Sequence, residues 1–164
     1  MIYAIMGVVI AAAVGLDQWV KWLTIKHIPE NTVLEEPVLW LFRLAHQRNT
    51  GDAWSMLEGQ TWIFLLVLGL FIVALFFMIR KKWFNKKPEF FALAAILGGA
   101  IGNAMDRIFR GGGVVDMIKF NFWMEFPTFN VADIFITVGC AFLMVYVIFF
   151  DKETSDRLGK PEET

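Results

Sequence analysis

Four long apolar runs divide the chain, separated by shorter stretches where charges and turn residues gather. A helix that crosses a bilayer needs about 20 mostly apolar residues, and each run has that length. The first extends over about residues 2–22, from Ile2 to Trp22, and is interrupted near its end by Asp17 and Lys21. The second, about 61–79, carries no charge. The third, about 89–108, is apolar until Asp106, and the fourth, about 132–150, is apolar after Asp133. The pattern predicts an all-α membrane protein with four transmembrane helices, built as a single domain over residues 1–164. Ala11-Ala12-Ala13 gives the first run a passing likeness to a cleavable leader. No basic residue precedes that run, however, and Asp17 and Lys21 break its far end, so it is read as a retained span.

The connections set the orientation. The segment from Arg80 to Lys87 holds five basic residues and no acid, which places it in the cytoplasm. The tail 151–164, with Lys152, Arg157 and Lys160, lies on the same side, and four spans then put the N-terminus there too. Leu23–Gln60 and Phe109–Val131 face outward. The first is the longer, and stretches such as Asn31-Thr32-Val33-Leu34 predict a small extracytoplasmic β-element within it.

Composition agrees. The chain is 57% hydrophobic and 19% charged, whereas a soluble domain is about half apolar and about a quarter charged. A net charge of −1 gives no electrostatic support for nucleic-acid binding. One cysteine, Cys140, excludes an internal disulfide, and with two histidines it forms no metal-ligand spacing. Neither metal nor cofactor is expected.

Ionisable groups inside membrane segments are costly and usually mark function. Here they gather at one depth. Asp17 ends the first span, Asp106 ends the third, Asp133 begins the fourth, and Asp116 lies in the outer segment between those two. Each has a plain structural explanation. Asp17 and Lys21 are spaced for a helical ion pair. Asp106 adjoins Arg107 and precedes Arg110 by four residues. Asp133 suits the positive end of a helix dipole, and Asp116 is an acceptable loop acid. The set needs more, because amides and glycines accompany it. Gly98, Gly99 and Gly102 precede Asn103 and Asp106, and Gly98-x-x-x-Gly102 admits a close neighbouring helix. Asn103 and Asp106 share a helix face. Asn49-Thr50-Gly51 and Asn130 add amides outside.

Two carboxyl groups can hydrolyse a peptide bond without metal or covalent nucleophile. One, ionised, takes a proton from water; the other, protonated, polarises the carbonyl. Like charges held close share a proton. Serine schemes lack a Gly-x-Ser-x-Gly elbow, and Cys140 has no histidine nearby in sequence. Position alone does not say which two of the four aspartates form the pair. A proton-coupled transporter would spread its acids through the bilayer, and a packing scaffold would not need four aspartates at one face.

Five blocks carry a resemblance to the lipoprotein signal peptidase (signal peptidase II) family over nearly the whole chain. They are Asp17-Gln18-x-x-Lys21, Arg48-Asn49-Thr50-Gly51-x-Ala53-Trp54, Gly99-x-x-Gly102-Asn103-x-x-Asp106-Arg107, Val114-Val115-Asp116 and Phe129-Asn130-Val131-Ala132-Asp133. The resemblance implies a catalytic pair of Asp116 and Asp133. It also implies that Asp17, Asn49, Asn103, Asp106, Arg107 and Asn130, with Gly51 and Ala132 in the same blocks, line or support the site. The implied substrate is a diacylglyceryl-modified prolipoprotein, cut just before its lipidated cysteine. The implied setting is the bacterial inner membrane, with the site near the outer face among membrane lipid. The implied inhibitor is the cyclic peptide globomycin. One departure is Asp52, where the family usually has a small residue. It lies outside the blocks that hold the pair and leaves the chemistry unthreatened.

Overall fold

The computed structural model describes residues 1–38, 40–51, 60–123 and 126–151. Asp52, Ala53, Trp54 and the tail beyond residue 151 lie outside them. The elements, in chain order, are α1 (Ile2–His27), β1 (Thr32–Val38), β2 (Phe42–Asn49), α2 (Thr61–Arg80), α3 (Lys87–Phe109), β3 (Val114–Phe120) and α4 (Val131–Phe150). The four expected spans are the four helices, and each is long and apolar enough to cross a membrane.

Helix ends follow local chemistry. α1 runs past Trp22 to His27. Lys26 and His27 sit where the helix dipole favours cations, and Lys26 lies over the Trp22 ring. α3 starts at Lys87, earlier than the apolar run, because Pro88 suits the first turn and Glu89 accepts the Asn85 and Lys86 N–H groups. α4 starts where Asn130 and Asp133 cap each other's backbone.

α3 is the central helix. Its most apolar stretch is 56% buried, against 6% for α2 and 17% for α1 and α4, so the other three turn most of their surface to lipid. Glycines make this possible. A Cβ on Gly98 would lie 2.7 Å from the Ala13 Cβ of α1, and one on Gly99 would strike the Ala132 carbonyl of α4. The small-residue motif therefore packs α3 against two helices at once. Toward the opposite end, Leu75, Phe84, Leu93 and Val147 join α2, α3 and α4, while Met6, Phe90 and Ala94 join α1 to α3.

The β-element is larger than expected. β1, β2 and β3 form an antiparallel sheet in that order, so both outer segments contribute to it. β3 escaped the sequence pattern because Val114 to Met117 are all buried, and a strand covered on both faces shows no alternation. The sheet fixes Asp116 opposite Gln47 and Val114 opposite Asn49.

Gly99→Ala should force α3 and α4 apart and cost about 1–3 kcal/mol, the usual cost of overpacking. Gly69→Ala, where nothing lies within 4 Å of the new methyl, should leave stability unchanged or slightly raised. Thermal unfolding of the two variants in detergent compares them directly.

Candidate active site

The polar centre begins with one lysine. Lys21 is fully buried, and its Nζ lies 2.9 Å from Asp17 Oδ2, 3.0 Å from Asp106 Oδ2 and 3.0 Å from Asn103 Oδ1. Asp17 and Asp106 are equally buried. Burying a charge is expensive unless it is paired and its hydrogen bonds are made. Both carboxylates meet that condition with backbone donors from other elements. Asp17 accepts the Ala132 N–H of α4 at 2.9 Å, and Asp106 accepts the Val115 N–H of β3 at 3.0 Å. Gln18 donates to Asp17, Asp106 and the Gly102 carbonyl. Arg110, one turn after Asp106, pairs with it and donates to Gln18. The absent side chain at Gly102 leaves the space that the Asp17 carboxylate occupies. Three helices and a strand are thereby joined around a single ammonium.

Asp116 and Asp133 stand beside this lock, joined by one residue. Asn130 donates through Nδ2 to Asp116 Oδ1 at 2.6 Å, accepts the Asp133 N–H at 2.9 Å, and donates its own N–H to Asp133 Oδ2 at 3.1 Å. Asn49 donates to the other Asp116 oxygen at 3.2 Å. Its orientation is set by Gly51, whose N–H binds Asn49 Oδ1 at 2.9 Å from a backbone with φ of 113°, a conformation that favours glycine. Asn103 donates to Asp133 Oδ1 at 2.8 Å while its oxygen accepts from Lys21, so the lysine dictates which way that amide faces. Burial pushes the Asp116 carboxyl up to about 7; the nearby Asp133 charge adds to the rise, while Asn130, Asn49 and Lys21 oppose it.

Every residue expected at the site lies in this assembly, but not always in the expected role. Asp106 pairs with Lys21 and Arg110. The pairing of Arg107 with Asp106, one option for that arginine, is not the one adopted. Arg107 donates to the Gly112 carbonyl at 3.1 Å and lies with its guanidinium 3.7 Å from the Phe64 ring centroid. It remains close enough to Asp116 and Asp133 to interact with both charges. Gln18 and Arg110 were missed as site residues, and Lys21 was read only as a local partner of Asp17. Spacing along a helix shows neighbours within one turn and hides those from another span.

Three cavities border the centre. An apolar groove of about 430 Å³ runs between α2, α3 and α4 and ends at Asn103, Arg107 and Asp133. A second, about 420 Å³, lies on the other side of Asp133 under Phe126 and Phe129. A third, about 340 Å³ and more polar, reaches Asp116 from the sheet side past Gln47 and Asn49.

These features define a class: a polytopic membrane protein with a buried aspartate and amide centre at one end of its bundle. The chain belongs to the signal peptidase (SPase) II family, whose sequence pattern matches residues 9–149. It is accordingly a membrane hydrolase of the aspartic peptidase type. The lipoprotein signal peptidase of Halalkalibacterium halodurans is 42% identical over 151 residues, covering 90% of this chain and 92% of its own. That of Enterococcus faecalis is 39% identical over 89% of both chains. A solved structure of a bacterial membrane enzyme, 26% identical, superposes with a TM-score of 0.80 over 90% of this chain and 94% of its own.

Removing the central ammonium leaves the buried Asp17 carboxylate without its counter-charge, while Asp106 keeps Arg110. Lys21→Met should lose about 3–5 kcal/mol, the usual cost of breaking a buried pair. Lys21→Met combined with Asp17→Asn should recover part of that loss, because the stranded charge is gone. Melting temperatures of the purified variants test the order: wild type, double variant, single variant.

Proposed function

We propose that the protein removes the signal peptide from diacylglyceryl-modified prolipoproteins, cleaving just before the lipidated lipobox cysteine, with Asp116 and Asp133 as the catalytic pair. The whole chain acts as one membrane peptidase domain in the bacterial inner membrane. Both termini are cytoplasmic and the site lies near the outer face. The observation that carries the assignment is Asn130: one side chain holds Asp116 while its backbone holds Asp133, bringing two carboxyl groups together. Family membership supports the substrate class.

The chemistry follows from the difference between the two acids. Asp116, with its carboxyl raised to about 7, carries the shared proton near neutrality. Asp133, held by the Asn103 and Asn130 donors, serves as the base. Asp133 takes a proton from water as its oxygen attacks the scissile carbonyl carbon, and Asp116 gives its proton to the carbonyl oxygen. A tetrahedral diol forms. The C–N bond then breaks, the leaving amine takes the proton from Asp133, and the diol returns one to Asp116. Asn49 and Asn103 hold the two carboxyls in place and line the path of the substrate backbone. Acyl chains fit the apolar groove that ends at Asp133, which keeps them in lipid contact while the bond beside them is cut. Globomycin, as a cyclic peptide, competes for the same space.

Asp116→Asn and Asp133→Asn should each abolish cleavage of a diacylglyceryl-modified prolipoprotein while keeping the fold. A mass shift reports signal-peptide loss, and circular dichroism in detergent reports the fold. Normal cleavage by either folded variant would remove the pair from the mechanism.

Protonated Asp116 is the working form, so kcat/KM should fall as pH rises through about 7. The same raised carboxyl stabilises the fold most at acid pH and loses that contribution as pH climbs from about 4 toward neutrality. The Asp116→Asn variant should therefore show a flatter melting temperature across this interval. A wild-type kcat/KM that stays level to pH 9 would deny Asp116 the role of acid.

A further inference from the structure

The four helices are not equally fixed. α2 is the least buried of them, and its core contacts gather toward one end, where Phe71 and Leu75 pack with Phe84, Leu93 and Val147. At its other end, the apolar groove lies between α2 and the α3–α4 pair. At the polar end of that groove the Phe64 ring lies against the Arg107 guanidinium at 3.7 Å. The residues beyond the ring at the groove head are Asn103, Arg107 and Asp133. Arg107 is 8% exposed, and one of its nitrogens is committed to the Gly112 carbonyl. A guanidinium has five N–H donors in a rigid plane. With one nitrogen fixed and one face held by the ring, its remaining donors have a fixed direction.

We propose that Phe64 is a positioning residue for the peptidase reaction: it holds the Arg107 guanidinium flat at the head of the acyl groove, so that its free N–H groups face the carbonyl of the bond being cut. This rests on the peptidase reading given above. Phe64 itself supplies no hydrogen bond and no proton. It acts through Arg107, and its ring is also the last apolar surface that an acyl chain meets before the polar centre. One side chain thus joins substrate seating to the orientation of the one positive charge bordering the groove among its described lining residues.

The attraction between a ring and a cation corresponds to about a two- to thirty-fold change in rate, depending on how fully water is excluded. Phe64→Leu should therefore lower kcat by that order on a diacylglyceryl-modified prolipoprotein, with KM changed less than two-fold. Phe64→Tyr, which keeps the ring face, should recover most of the lost kcat. In an Arg107→Lys background, Phe64→Leu should add no further loss, since the planar group it positions is gone. Phe71→Leu, in the same groove but away from Arg107, should raise KM and leave kcat alone. A parallel measurement needs no turnover: phenylglyoxal modification of Arg107, followed by peptide mass mapping, should speed up in Phe64→Leu and stay slow in Phe64→Tyr.

A KM effect without a kcat effect in Phe64→Leu would make the ring an ordinary groove wall and overturn the proposal. Equal losses in the Leu and Tyr variants, or losses that add to Arg107→Lys, would do the same. Wild type and Asp116→Asn run alongside. A wild type without cleavage, or an active Asp116→Asn, sinks the peptidase reading, and the modification rates then decide alone whether Phe64 holds Arg107.

Discussion

A buried ammonium cannot stand alone in a membrane protein, and the arrangement at one end of this bundle follows from that constraint. Lys21 has no exposed surface, so its charge must be met within reach of its Nζ. Asp17 meets it from the same helix, Asp106 and Asn103 from a second. Each carboxylate needs further donors, and these come from α4 and β3. The requirement for neutrality thus becomes a requirement for topology. α1, α3, α4 and the sheet must converge at one depth, and the charge pairing there adds to the glycine contacts of α3 in setting that register. Hydrophobic packing against lipid gives little preference for one helix rotation over another; charge pairing does.

The two halves of the polar centre differ in kind. Around Lys21 the charges balance and the donors point at ionised oxygens, which makes that half rigid. Around Asp116 and Asp133 the donors are neutral amides, and the nearest positive side chains belong to Lys21, one residue removed, and Arg107. Four carboxyl groups in one small region therefore divide into two met by cations and two held by neutral amides. Asn103 marks the border, its amide oxygen turned to Lys21 and its nitrogen to Asp133.

Much of this was legible from the sequence. The spans are plain because bilayer thickness imposes a length that no soluble core demands, and the four aspartates stand out because such runs seldom tolerate them. Asp106 illustrates the limit. It adjoins Arg107 and precedes Arg110 by four residues; helical geometry favours the second, and Arg110 is the arginine that pairs with it. The role of Lys21 was only half visible, since its partnership with Asp17 lies within one turn while that with Asp106 crosses between spans. β3 was invisible because strand alternation exists only where one face meets water, and here Val114, Val115, Asp116 and Met117 are all covered. Which two aspartates are joined through one amide was not readable from position, because that depends on Asn130 facing both.

Asn130 has a consequence for the order in which the molecule comes into being. It is the residue at which the fourth span begins, and its side chain reaches back to a strand made earlier in synthesis. Asp116 is therefore in the growing chain with Asn49 but before Asn130, the second amide that orients it, and Asp133 arrives only with the fourth span itself. A chain with three spans inserted therefore holds Asp116 without Asn130 or Asp133, and the linked pair of carboxyl groups is assembled only once the final membrane segment has been threaded.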